Sequence, residues 1–91
     1  MLQTITTEFI DKFYSLKDKI ADIYIKHILY GTQKNKRCVL CPFVDEDRIG
    51  LIINDEELYI TTDELRDVYI DQTGCYLKSD VMELYINYIA K

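Results

Sequence analysis

Residues 5–30, ITTEFIDKFYSLKDKIADIYIKHILY, carry the longest apolar pattern in the chain, and the reading of that pattern decides the fold. Phe9, Phe13, Leu16, Ile20, Ile23, His27 and Tyr30 recur at alternating spacings of four and three, the repeat of one helical face. Ile10, Ala21, Tyr24 and Ile28 widen that face, while Lys12, Lys19, Asp22 and Lys26 fall opposite. Thr4 and Thr7 are N-cap candidates, and Glu8 and Asp11 suit the positive end of a helix dipole. Lys26 and His27 suit the negative end, and Gly31 can stop the helix. The spacing therefore predicts a single helix over 5–30. At 1.5 Å per residue, about 24 residues of it span about 36 Å, more than the roughly 31 Å diameter of a compact chain of this length. An apolar stripe that overhangs the monomer is covered most simply by a second copy, which implies a homodimer through the N-terminal helix.

Beyond the polar loop TQKNKR (32–37), the pattern turns to strands. CVLCPFV (38–44), IGLII (49–53) and LYIT (58–61) are short and rich in strand formers. The turns DEDR (45–48) and NDEE (54–57) separate them, which predicts a three-stranded antiparallel meander. Thr61–Glu64, TTDE, has the form of a capping box opening a helix over 63–72, with Leu65, Val68 and Tyr69 inward. Ser79 stands where it would cap a last helix over 80–90, with Val81, Leu84, Tyr85, Tyr88 and Ile89 inward. The expected fold is a single α+β domain over 1–91, in the order α-β-β-β-α-α.

Charge is unevenly placed. Residues 1–44 carry seven Lys/Arg against four acids, net +3. Residues 45–71 carry ten acids against Arg48 and Arg66, net −8. A segment so acidic repels nucleic-acid phosphates, so direct DNA binding through it is not expected. There is no apolar run of the ~20 residues that a membrane-spanning helix needs. The N-terminus reaches Glu8 and Asp11 without the pattern of a signal peptide. A cytoplasmic setting with reduced thiols is the expectation, and three cysteines, an odd count, argue against a disulfide framework.

RCVLCPFVDEDRIG (37–50) holds a C-x2-C pair. His27, Cys38, Cys41 and Cys75 together make a Cys3His set of the kind zinc takes. The second half-site is two isolated residues, however, and positions i and i+3 of a strand face opposite sides. Buried thiols are the simpler reading, and no cofactor is expected. CPF before acids resembles part of the zinc ribbon of bacterial-type primases. That motif requires a nearby His and a second C-x2-C where Val44 and Cys75 stand, so it implies nothing here. The acids match no EF-hand spacing. His27 has no identifiable nucleophile partner, and no enzymatic activity is expected.

Eight tyrosines remain, of which Tyr14, Tyr30, Tyr59 and Tyr76 do not all fit the expected core faces. Tyrosine beside acids is a composition suited to protein recognition. The sequence thus points to a non-enzymatic protein-binding module that meets a partner's basic surface. Asp45, Glu46, Asp47, Asp55, Glu56, Glu57, Asp63 and Glu64 form the expected contact face, with Arg48 and Tyr59 as anchors. In size and charge the chain resembles phage and mobile-element inhibitors of nucleic-acid-handling proteins, anti-CRISPR proteins and DNA mimics among them. Two alternatives stand beside this reading. One is a zinc-stabilised module whose Lys34, Lys36 and Arg37 touch nucleic acid; the other is a dimeric binder of a small ligand or nucleotide.

Overall fold

A computed structural model describes residues 6–89. Thr4, Ile5 and Ala90, which the expected helices include or are capped by, lie outside the described residues. The expected α+β order is overturned. Among the described residues one short helix, α1 (Thr7–Tyr14), precedes eight strands: β1 (Ile20–His27), β2 (Gly31–Val39), β3 (Pro42–Val44), β4 (Arg48–Ile53), β5 (Glu56–Thr61), β6 (Leu65–Ile70), β7 (Gly74–Ser79) and β8 (Met82–Tyr88). They form two antiparallel sheets, one five-stranded in the order β2-β1-β8-β7-β6 and one three-stranded in the order β3-β4-β5.

The 5–30 pattern divides at Ser15–Lys19. Its first part is helical, capped by Thr6 rather than Thr4 or Thr7: the Thr6 hydroxyl accepts the Phe9 N–H at 3.0 Å. Phe9 and Phe13 are buried, with ring centroids 5.7 Å apart. The helix ends where the Ser15 hydroxyl donates to the Lys12 carbonyl at 2.6 Å and Asp18 adopts φ 69°, a left-handed conformation that no helix interior tolerates. The Asp18 N–H then donates to the Leu40 carbonyl and the Leu40 N–H to the Lys19 carbonyl, which holds the turn against the β2–β3 crossover. From Ile20 the same isoleucines obey a second period. Ala21 and Ile23 are buried and Ile25 packs on the core, while Asp22, Tyr24 and Lys26 face away. Ile20, Ile23, Ile25 and Tyr24 are strand formers, and β1 has a hydrogen-bonding neighbour on each side. With α1 cut to eight residues and its aromatic face in the core, no overhanging stripe remains to suggest a helix-mediated dimer.

The two expected C-terminal helices are strands because their caps serve turns. The Thr61 hydroxyl donates to the Glu64 carboxylate at 2.6 Å, and the Glu64 N–H donates to the Thr61 carbonyl. Bonded in this way as a turn and not as a capping box, the pair closes the β5–β6 connection, after which the chain runs extended. Likewise the Ser79 hydroxyl oxygen accepts the Met82 N–H at 3.0 Å, as a cap would, and the β7–β8 hairpin follows. Leu84, Ile86 and Tyr88 then alternate inward, while Val81, expected in a core, is exposed. The expected first meander strand, 38–44, is shared between sheets: Cys38 and Val39 end β2, buried Leu40 makes the crossover, and Pro42 begins β3. Between β4 and β5, Asn54 and Asp55 take φ 51° and 67°, the two left-handed positions of a tight hairpin turn.

The sheets face each other across a single core. Ala21, Ile23, Cys38, Cys75, Leu77, Leu84 and Ile86 come from the larger sheet, and Ile49, Leu51, Ile53 and Ile60 from the smaller. Phe9, Phe13 and Leu16 join them from the helix and its turn. Each large side chain buried this way stabilises the fold by about 1.5–3 kcal/mol. Tyr14 ties the helix to β3, since its hydroxyl donates to the Val44 carbonyl and accepts the Val44 N–H, both at 3.0 Å. No described helix is long and apolar enough to cross a membrane.

Gly50 lies where a Cβ would meet the Leu58 carbonyl oxygen and stand 2.6 Å from the Tyr59 Cα. Gly50→Ala is therefore expected to lower stability by about 1–3 kcal/mol, read as a lower urea midpoint. In the β6–β7 turn the Asp71 carboxylate accepts from Thr73 Oγ1 and the Thr73 and Gly74 N–H groups, and from the Tyr69 hydroxyl, which together hold its pKa down at about 2. That value lies below the ~3.9 of an unfolded aspartate. The stabilisation is thus complete above about pH 4 and is lost as pH falls towards 2. Asp71→Ala should melt earlier than wild type at pH 7, and thermal denaturation at successive pH values should show the gap closing by pH 2.

Candidate functional site

The larger sheet has an inner face against the core and an outer face without a covering element among the described residues. Alternation and register decide what stands on the outer face. Tyr24 on β1 is opposite Tyr85 on β8, Tyr85 is opposite Tyr76 on β7, and Tyr76 is opposite Tyr69 on β6. Lys34 on β2 is opposite Tyr24 and completes the row. At about 4.8 Å between strands, the five side chains form a strip about 19 Å long. The Tyr76 and Tyr85 rings lie 4.8 Å apart, and the ammonium groups of Lys34 and Lys26 lie 5.4 and 5.6 Å from the Tyr24 and Tyr85 ring centroids. Tyr69 at the far end is 58% exposed.

Beside the row runs a second line, in which Lys26 is opposite Glu83 and Glu83 is opposite Lys78. One Glu83 oxygen accepts from both Tyr85 and Tyr76, at 2.9 and 3.1 Å. These phenol donors lower the Glu83 pKa, aided by Lys78 and Lys26. Desolvation, with Glu83, raises the Tyr76 pKa, and the bond to Glu83 raises that of Tyr85. Tyr69 is raised by its bond to Asp71. The phenols are thus held neutral, and the rings are fixed by partners at their rims. The sequence counted these tyrosines without aligning them. The helical spacing places Tyr24, Tyr69 and Tyr85 in three separate helices, and only a correct strand register finds the row.

The acids chosen from the sequence divide into three groups. Asp45 and Glu57, at opposite ends of the smaller sheet's outer face, are joined by Arg48. Its guanidinium bonds Asp45 at 3.1 Å and Glu57 at 3.1 Å, and lies 5.2 and 5.1 Å from the Phe43 and Tyr59 ring centroids. Arg48 is thereby engaged on both sides by carboxylates of its own chain. Asp45 also accepts the Asp47 and Arg48 N–H groups, and the first of these bonds is the main cause of its lowered pKa. Glu46, Asp47, Asp63 and Glu64 come together, because the Thr62 N–H donates to the Asp47 carbonyl at 2.8 Å and the Thr62 hydroxyl to the Glu46 carbonyl at 3.2 Å. Asp55 and Glu56 stand apart at the β4–β5 turn.

The Cys3His set is not assembled. Cys38 pairs with Ala21, whereas His27 ends the same strand β1, about 20 Å further along. Cys41 is exposed, and Cys38 and Cys75 are buried. Burial pushes the Cys75 thiol up to about 12 and raises that of Cys38, which disfavours the thiolates a metal requires. Among the described residues no three His, Cys, Asp or Glu side chains are placed to share a metal ion.

No protein-family model matches the chain, and no curated protein or solved structure is significantly similar to it. The surface is therefore interpreted from its own chemistry. Arg48→Gln should raise the Asp45 pKa only part of the way to its ordinary value, because the backbone donors of Asp47 and Arg48 remain. Carboxyl-carbon NMR titration measures this shift.

Proposed function

We propose that this chain is a non-enzymatic protein-binding module whose contact face is the tyrosine row of the five-stranded sheet. The observation that carries the reading is the register that sets Tyr24, Tyr85, Tyr76 and Tyr69 side by side on four adjacent strands. Tyrosine offers broad amphipathic area with few torsions to freeze, and the Tyr69, Tyr76 and Tyr85 rings are already held at their rims by Asp71 and Glu83. Carboxylates on the same face, Asp22, Glu83 and Asp67, oppose a nucleic-acid backbone but suit a protein surface of mixed charge. The row is also polar end to end. Lys34 stands at the β2 edge, while Asp67, Asp71 and the acidic β5–β6 turn lie on the β6 side. A partner presenting a basic patch to the β6 side matches that gradient.

A second reading keeps the acidic end as the principal contact, acting on the basic groove of a nucleic-acid-handling protein. The Thr62 bonds that gather Glu46, Asp47, Asp63 and Glu64 favour it. Three other acids have structural duties: Asp45 and Asp71 close turns by accepting backbone N–H groups, and Asp55 supplies a left-handed turn residue. This makes the acidic end a smaller surface than the sequence suggests, and its expected role is steering.

Quantitative capture of the partner from the source cell separates the two. Tyr24→Ser with Tyr69→Ser should weaken capture by tenfold or more, with circular dichroism and melting close to wild type. Charge reversal at Glu46, Asp47, Asp63 and Glu64 should slow association and flatten its salt dependence while leaving the dissociation rate nearly unchanged. Full capture by the tyrosine variant, with loss in the reversed one, would move the site to the acidic end.

A further inference from the structure

Away from the tyrosine row, two adjoining concavities open where α1, the 15–19 turn, the β6–β7 turn and the end of β8 meet. The larger, of about 790 Å³, is lined by Lys12, Leu16, Lys19, Ile70, Asp71 and Tyr88 among others. The smaller, of about 610 Å³, includes Lys17, Asp18, Lys19, Arg37 and Tyr88. Lys19 and Tyr88 line both, and the Lys19 ammonium lies 5.8 Å from the Tyr88 ring centroid. Volumes of this size match small-molecule sites.

Three properties define what such a groove would accept. Its floor is apolar, made by Leu16, Ile70 and the Tyr88 ring. Its lining carries four cations, Lys12, Lys17, Lys19 and Arg37, against the carboxylates of Asp18 and Asp71, in a chain of net charge −5. Asp71 is already engaged by four donors, and of the cations Lys12 is paired with Glu8 at 3.3 Å. Asp22, just behind Arg37, accepts that residue's N–H at 2.9 Å. Finally, the Tyr88 hydroxyl is buried without a hydrogen-bond partner, the sole such side-chain group among the described residues. Desolvation raises its pKa, so it remains an O–H donor lacking an acceptor. An orphaned buried donor carries a free-energy cost that an acceptor from a ligand relieves.

We propose that this groove binds a small organic anion, with an apolar body on the Leu16–Ile70–Tyr88 floor and an oxyanion group held by Lys19, Lys17 and Arg37. The Tyr88 hydroxyl, closed to solvent in the free protein, turns into the groove to take the oxyanion as its acceptor. This site is separate from the tyrosine row, which lies on the sheet's other face, and touches it only through Asp71, the acceptor of the Tyr69 hydroxyl.

Phenyl phosphate is a suitable probe, with inorganic phosphate and benzyl alcohol as partial mimics, titrated into ¹⁵N-labelled full-length protein. Phenyl phosphate should give saturable shifts at Leu16–Ile20, Asp71–Thr73 and Tyr88 with a submillimolar Kd, and each partial mimic should bind at least tenfold more weakly. Lys17→Gln with Lys19→Gln should raise that Kd tenfold or more. Tyr88→Phe should leave the free protein at least as stable yet weaken the probe several-fold. Tyr24→Ser, on the other face and away from Asp71, should leave probe binding unchanged. Absence of saturable shifts, equal binding of benzyl alcohol, shifts centred elsewhere, or binding that survives the lysine or Tyr88 substitutions would overturn the proposal. If the double lysine variant fails to fold, Arg37→Gln provides the same readout.

Discussion

The pairing of β1 with β8 is the constraint on which the rest of this structure depends. It joins the first strand to the last, placing Ala21 opposite Tyr88, Ile23 opposite Ile86 and Ile25 opposite Leu84 on the core side. Without it the β1–β2 hairpin and the β6–β7–β8 meander are separate pieces, each with an apolar face too small to be stable alone. With it they become one five-stranded sheet wide enough to cover the β3–β5 sheet. The interaction is also the most distant in sequence, so its closure entropy is offset only when the shared core forms. Cooperative folding of the entire domain is the natural consequence.

The same ladder creates the surface features. Because side chains alternate, a register that buries Ile23 against Ile86 must bring Tyr24 beside Tyr85 on the opposite face. The β7 and β6 registers extend that line to Tyr76 and Tyr69. The row is thus a geometric companion of the core. Glu83 and Asp71 then fix the rims of Tyr76, Tyr85 and Tyr69 and hold those phenols as donors. At the strand ends the chain uses acids as turn formers, so a composition that suggests one continuous acidic face becomes a small acidic end and several self-satisfied pairs.

Parts of this arrangement were legible. The helix start around Phe9 and Phe13, the turns at 45–47 and 54–55, and the special chemistry of Thr61–Glu64 and Ser79 all correspond to real hydrogen-bonded features. What followed them did not. Ser79 makes with Met82 the bond a helix cap makes, and Thr61 with Glu64 closes a turn, but a single turn does not commit the next residues to a helix. Ile20, Ile23 and His27 satisfy a helical spacing, while Ala21, Ile23 and Ile25 satisfy a strand spacing. Nothing within the segment decides between them, since the deciding energy comes from partners sixty residues away.

By itself the sequence determined the local chemistry: which residues cap, which turn, which are apolar enough to be buried, and where charge concentrates. Tertiary structure alone decided periodicity, register and therefore adjacency. Strand pairing is a contract between distant segments, and a strand's backbone donors and acceptors are satisfied only by its neighbours. That is why 20–27 is a strand, why four scattered tyrosines form one line, and why Lys12, Lys17, Lys19 and Arg37 converge around Tyr88.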